Sequence, residues 1–177
     1  MGMNNTAQLE TLDTLATELV KLLIEHQQSV AVAESCTGGL LAGALTAIPG
    51  CSAAVQGGVI AYANEVKQNL LGVPAELLER NGAVSAEVVR VMAEQVRIRC
   101  NATWGLATSG IAGPDGGTLE KPVGTVWMAM ASAQGSSAVC KIFTGNRHQI
   151  RLSAVQYLVS ALQSSVPTQN FTCSFEQ

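Results

Sequence analysis

The 177-residue chain is 47% hydrophobic and 13% charged, with a net charge of −3, which suits one globular domain with its own core. It has no cluster of Lys and Arg for nucleic acid or an anionic membrane surface, and no uninterrupted apolar run long enough to span a bilayer. Its five cysteines (Cys36, Cys51, Cys100, Cys140, Cys173) and two histidines (His26, His148) lack metal-type spacing, so no metal is expected and the thiols suit a reducing cytoplasm.

The chain opens on a polar stretch, Met1 to Glu10, unlike a signal peptide. Leu12, Leu15, Leu19, Leu22 and Leu23 then recur at helical spacing, predicting an amphipathic helix from Leu9 to His26. Ser29 to Ala33 reads as a short buried strand, Gly38 to Ala47 as an apolar helix, and Pro49-Gly50 as its stop. A second strand is expected over Gly57 to Ala63. Asn64 would cap a helix that Gly72 ends after Leu71, and Pro74 would open a short one through Glu79. Ser85 signals the start of a longer helix with Val88, Val89, Met92 and Val96 inward. Strands follow at Trp104 to Thr108, Gly124 to Ala131 and Ala138 to Thr144, the last two as an antiparallel hairpin. A final helix is expected from Arg147 to about Leu162, before a polar tail from Ser164. Helices and strands alternate through the first half, and the strands are too uniformly apolar to face water. Together these features predict an α/β fold whose mixed, mostly parallel sheet is covered on both faces.

The stretch Ala33-Glu34-Ser35-Cys36-Thr37-Gly38-Gly39 places a hydroxyl beside a thiol where the first strand gives way to a helix. At such a turn the N–H groups of Cys36, Thr37 and Gly38 would converge on one point with the positive helix end behind them, a place for a phosphate or a developing oxyanion. Ser35 would then be a nucleophile beside its own oxyanion hole, suited to splitting an amide or ester. On this fragment alone, a helix N-cap with glycines for close packing accounts for the residue types better. A second junction after a strand, Thr108-Ser109-Gly110-Ile111-Ala112-Gly113-Pro114-Asp115-Gly116-Gly117, shifts the balance toward chemistry. Ligands of such sheets bind outside the carboxyl ends of the parallel strands, where both junctions would lie.

Taken in order, these two stretches and Lys121-Pro122-Val123-Gly124-Thr125-Val126-Trp127 resemble the CinA C-terminal domain family, and the likeness runs from the first helix through about Leu162. The resemblance implies a three-layer α/β/α sandwich, with residues 1–163 as one domain and 164–177 as a tail. It also implies hydrolysis of the carboxamide of nicotinamide mononucleotide to nicotinate mononucleotide and ammonia, in pyridine-nucleotide recycling, with no metal or organic cofactor. Some relatives carry a further N-terminal domain resembling a molybdopterin-binding module. Nothing before Leu9 has room for one, so the stand-alone form is expected.

In the family pattern the serine of the E-S-C-T-G-G motif is the nucleophile, Ser35 here. The histidines fall outside both junctions, and the resemblance points instead to Tyr62 and Lys67 in Ala61-Tyr62-Ala63-Asn64-Glu65-Val66-Lys67, a serine–tyrosine–lysine arrangement. A lysine serves as base only where burial or a neighbouring cation depresses its pKa, while a tyrosine can pass the proton or orient the amine. Which of the two is the base stays open, and without the resemblance a strand-end tyrosine and a solvated helix lysine would be the simpler readings. The Cys36 thiol is a rival nucleophile, but a small buried hydrophobe describes it better.

For an anionic nucleotide, Thr108, Ser109, Gly110 and Gly113 could offer hydroxyls and N–H groups beside those of Cys36, Thr37 and Gly38, and Arg147 is the expected phosphate residue. Asp115 is expected to shape its own turn. Glu34 is a candidate for orienting the nucleophile turn and Lys121 for approaching the anion. Two departures from the family pattern bear on the pocket and on Arg147: Cys51 to Gly57 lacks aromatic and charged residues, and Asn146 stands where an aspartate is common. The competing readings are a non-catalytic nucleotide-binding module with Ser35 as a cap, and a hydrolase of a different amide or ester. Low charge and many small apolar residues favour a homo-oligomer such as a dimer.

Overall fold

The computed structural model describes residues 5–168, so Met1 to Asn4 and the tail from residue 169, with Cys173, lie outside the described residues. The leucine-spaced segment forms α1 (Asn5–Glu25), which starts ahead of its first predicted residue. Its opening turn is polar but held: the Gln8 side chain donates to Ser153 Oγ at 3.2 Å and the Gln8 carbonyl accepts from Gln156 at 2.6 Å. Next come β1 (Val30–Glu34) and α2 (Leu40–Thr46). The latter begins two residues late because Gly38 and Gly39 take left-handed conformations, at φ +57° and +92°. A single 3-10 turn, Cys51–Ala53, leads to β2 (Val55–Ile60).

β2 lies two to three residues ahead of its expected place. Gly58 is pressed against Val32, where a Cβ would come within 2.6 Å of a methyl, and beyond Ile60 the chain turns away with Ala61 N–H donating to Glu34 O at 2.7 Å. The helices α3 (Asn64–Leu71), α4 (Ala75–Asn81) and α5 (Ala86–Arg99) follow, with Gly72 at φ +62° ending α3. Ser85 sits at the start of α5, but its hydroxyl donates to Gly82 O at 2.9 Å. The chain ends with β3 (Trp104–Gly110), β4 (Thr125–Ser132), β5 (Gly135–Ile142) and α6 (Arg147–Ser165). Asn146 and Gln149 open α6 with reciprocal side-chain-to-backbone bonds of 2.9–3.0 Å, a capping box. α6 outruns its predicted end, and Val166 beyond it is buried in the core rather than part of a polar tail.

The strand order is β2-β1-β3-β4-β5, with β2, β1 and β3 parallel and the β4–β5 hairpin antiparallel at one edge. The hairpin link is shorter than expected because Ser136 and Ser137 pair in the ladder with Ala131 and Met130. Alternation along each strand separates two cores. Val30, Val32, Trp104, Leu106, Val126, Met128 and Met130 face α1, α2 and α6. Ala31, Ala33, Ala107, Ala129 and Ala131 face α3, α4 and α5. The second face is lined by small side chains, so α5 lies close: a Cβ on Gly105 would sit 2.0 Å from the Ala93 carbonyl oxygen. The result is an α/β/α sandwich in which the carboxyl ends of β1, β2 and β3 meet at one rim.

Candidate active site

Ser35 is the first residue past β1 at that rim. Its N–H donates to Thr108 O at 3.0 Å, tying the turn to β3, and its own carbonyl accepts from Gly38 N–H at 3.1 Å. The turn is closed from beneath by Glu34. This carboxylate is fully buried, and accepts from Gly39 N–H at 3.0 Å, Leu41 N–H at 3.1 Å and Ala42 N–H at 2.8 Å. It thereby caps the first turn of α2 and compensates the positive helix end. Three amides, those of Cys36, Thr37 and Gly38, were expected to face a ligand. Gly38 and Gly39 are committed within the turn, the Cys36 amide lies against its own thiol, and the Thr37 amide is assigned no backbone partner among the described residues.

The second group at Ser35 comes from α3. Its inward positions are Lys67 and Leu71, one turn apart, so a lysine stands where the periodicity calls for a core residue. Lys67 is 1% exposed, and its Nζ lies 3.2 Å from Ser35 Oγ, 2.7 Å from Ala61 O and 3.1 Å from Tyr62 O. Burial pushes the ammonium below its ordinary pKa of 10.5, against the pull of the Glu65 carboxylate. The partner set accommodates either protonation state of the amine. Nζ donates to all three oxygens, and once it loses one proton its lone pair can face the Ser35 hydroxyl while two N–H groups keep the carbonyls.

Cys36 points the other way, into the core with α1, α2 and α6. Burial pushes its thiol up to about 12, its own backbone amide and the guanidiniums of Arg151 and Arg147 opposing. At neutral pH it is a thiol and not a thiolate nucleophile.

The side chains of Tyr62 and Lys67 do not contact the same atom. The Tyr62 carbonyl receives the lysine, but its side chain is 59% exposed and its hydroxyl accepts from Arg147 Nη2 at 2.9 Å. Arg147 Nη1 donates to Gly113 O at 2.9 Å, so Tyr62, Arg147 and Gly113 form a second cluster, drawn from the β2–α3 turn, the start of α6 and the loop after β3. Asn146, in the position where an aspartate is common in the family pattern, holds the helix start from which Arg147 projects through its capping box with Gln149.

The hydroxyls expected to meet a ligand from β3 are bonded within the protein. That strand runs on to Gly110, two residues beyond its predicted end. Thr108 is fully buried and shares a 2.7 Å hydrogen bond with Thr37 Oγ1. Ser109 is 1% exposed and donates to Ala83 O at 2.8 Å. Gly110 allows β4 to approach, since a Cβ there would meet Thr125 O at 2.6 Å. Lys121 donates to Val84 O at 2.8 Å and to Asn81 O at 3.3 Å, fastening its loop to the α4–α5 link rather than approaching an anion. Asp115, His26 and His148 are exposed.

One side chain at this rim escaped sequence reasoning. Arg151, one turn beyond Arg147 on α6, donates to Thr37 O from Nε at 3.2 Å and from Nη2 at 2.5 Å. Ser35 lines neither of two concavities found elsewhere, one at the amino end of β3 beside Trp104 and the other along α1 and α6. Ser35 and Lys67 are both buried at this rim, at 9% and 1% exposure. Among the described residues no group of His, Cys, Asp and Glu could hold a metal ion, and no helix is long and apolar enough to cross a membrane.

The profile of the CinA C-terminal domain matches residues 12–166. A CinA-like protein of Synechococcus sp. is 56% identical over 146 residues, which cover 82% of this chain and 34% of that protein. Another from Gemmatimonas aurantiaca is 53% identical over 151 residues, covering 85% and 35%. The chain thus spans about a third of the length of these relatives. Among solved structures, the competence damage-inducible protein A of Klebsiella pneumoniae superposes with a TM-score of 0.86 at 34% identity, over 90% of this chain and 99% of that one. The competence/damage inducible protein CihA of Agrobacterium tumefaciens gives 0.82 at 38% identity, over 87% and 94%.

Proposed function

From the premise that this chain belongs to the CinA C-terminal domain family, we propose that it is a serine amidohydrolase acting on the carboxamide of nicotinamide mononucleotide. The observation that carries this reading is Lys67: a buried amine, its pKa lowered, 3.2 Å from the Ser35 hydroxyl with two carbonyls occupying its other donors. A lysine buried so completely is costly to a fold unless its neutral form is wanted.

In this mechanism the Ser35 hydroxyl gives its proton to Lys67 Nζ while Oγ attacks the carboxamide carbon. The oxygen of the tetrahedral intermediate becomes negative and is received by the amides of Cys36 and Thr37. Lys67, now an ammonium, returns the proton to the departing nitrogen, which leaves as ammonia. The remaining nicotinoyl ester on Ser35 is opened by a water that Lys67 deprotonates, giving nicotinate mononucleotide and restoring the hydroxyl. Arg147 with Tyr62 receives the nucleotide phosphate, as a forked cation suits a doubly charged anion.

The setting for this activity is recycling of pyridine nucleotides in a cytoplasm. The test is ammonia release from three carboxamides: nicotinamide mononucleotide, its riboside and free nicotinamide. The mononucleotide should turn over, and the two without phosphate should lose mainly in KM. Binding of the mononucleotide without ammonia would favour a nucleotide-binding module, and faster release from a phosphate-free amide would assign a different substrate.

A further inference from the structure

Arg151 carries a second role at the same site. Its guanidinium uses two donors on a single backbone carbonyl, that of Thr37, 114 residues away in sequence. Among the described residues no carboxylate lies within ion-pair distance of it. A partly buried guanidinium is ordinarily paired with a carboxylate or left in water, so the place of this one against the Ser35–Gly39 turn calls for an explanation. The Glu34 carboxylate and the Thr108 carbonyl hold the start and base of the turn. Its own backbone bonds are 3.1 Å for Gly38 N–H to Ser35 O and 3.2 Å for Leu40 N–H to Thr37 O, and its two successive glycines at positive φ add no side chain that would restrain the Thr37 carbonyl. A hypothetical Cβ on Gly38 would already touch Arg151 Nη2, at 3.5 Å.

We infer that Arg151 is a positioning residue for the Ser35 reaction: fastened to the Thr37 carbonyl, it locks the Ser35–Gly39 turn so that the Cys36 and Thr37 amides stay aimed at the developing oxyanion. This rests on the reading of Ser35 as nucleophile. The field of Arg151 also reaches the turn, since it lowers the pKa of the adjacent Cys36 thiol against burial. A cation there favours any negative charge that forms on the neighbouring atoms.

The test reads Ser35 directly and does not depend on the natural substrate. A fluorophosphonate probe forms a bond from Ser35 Oγ to phosphorus with loss of fluoride, and its phosphoryl oxygen asks for the same amides. The rate of labelling at Ser35 is followed by peptide mass spectrometry in the wild type, Arg151→Lys and Arg151→Met. Arg151→Met should label about a hundredfold more slowly, the order of loss from an ångström-scale misplacement, with the thermal midpoint little changed. Millimolar methylguanidinium should restore part of that rate, and Arg151→Lys should lie between the two. A methionine variant that labels as fast as the wild type overturns the inference, as does slowing that only follows loss of folded protein and is not rescued. If that variant does not fold, a folded Arg151→Lys labelling at the wild-type rate overturns it equally. A wild-type Ser35 that does not label at all overturns it too, because the turn then aims no nucleophile. Labelling without ammonia release from nicotinamide mononucleotide would sink the deamidase reading alone and leave Arg151 standing.

Discussion

Two side chains of different burial divide the chemistry of the rim between them. Lys67 is inside the protein and touches Ser35, while Tyr62 is outside and touches Arg147. If Lys67 is the base, kcat/KM should rise with pH with unit slope and level off at an apparent pKa below 10.5, because the amine must lose its proton before it can accept one. Linkage gives a second reading of the same group. Between the lowered native value and 10.5 the unfolded chain holds a proton that the native chain has released, so stability at this site rises with pH across that window and levels off above it. Lys67→Met should flatten that rise in a urea-unfolding series and abolish ammonia release; an unchanged pH–rate profile in a folded Lys67→Met would refute the assignment. For Tyr62 the geometry predicts a binding effect. Tyr62→Phe removes one hydrogen bond to Arg147 and should raise KM about threefold to tenfold while kcat stays within about threefold. A kcat loss of a hundredfold or more would restore Tyr62 to the proton path.

At the scale of elements, the turn between β1 and α2 depends on the Glu34 carboxylate, which satisfies three amides of the helix start. Glu34→Ala leaves those donors buried and should cost about 2–3 kcal/mol, seen as a lower urea midpoint with unchanged slope; a loss under about 0.5 kcal/mol would mean that water replaces the carboxylate easily. Glu34 was legible in the sequence only as a candidate for orienting the turn, since its depth depends on β1 being covered on both faces. The elements themselves were legible because leucine spacing, strand alternation and stop glycines act locally. The Ser35 junction was legible for the same reason, and so in principle was Lys67, which stands one helical turn before the apolar Leu71. The burial of Thr108 and Ser109 was not legible, because a strand expected to end at Thr108 leaves Ser109 in a loop, whereas β4 extends the ladder as far as Gly110 and draws both inside. Arg151 could not be found by pattern, since an arginine one turn from another on a helix reads as a solvated face until the fold brings Thr37 to it.

Over the whole molecule, one sheet serves two cores of unlike texture, with large side chains on the α1, α2 and α6 side and small ones on the α3, α4 and α5 side. The site lies where both meet, with Ser35 on the sheet rim, Lys67 from one layer and Arg147 and Arg151 from the other. Such a site needs both layers docked at once, so the described domain should unfold as one cooperative unit. The two tryptophans test this, since Trp104 belongs to the first core and Trp127 packs against the second. Trp104→Phe and Trp127→Phe each leave one reporter. In each variant the fluorescence transition should coincide with that of its own far-ultraviolet circular dichroism, whereas separate midpoints would mean that the layers come apart independently. The central claim, that the Ser35 oxygen attacks the amide, is tested most directly by ammonia release from nicotinamide mononucleotide in folded Ser35→Ala and Cys36→Ala proteins. The account predicts no release above background from Ser35→Ala and most of the wild-type rate from Cys36→Ala; full activity in Ser35→Ala, or its loss only in Cys36→Ala, would contradict it.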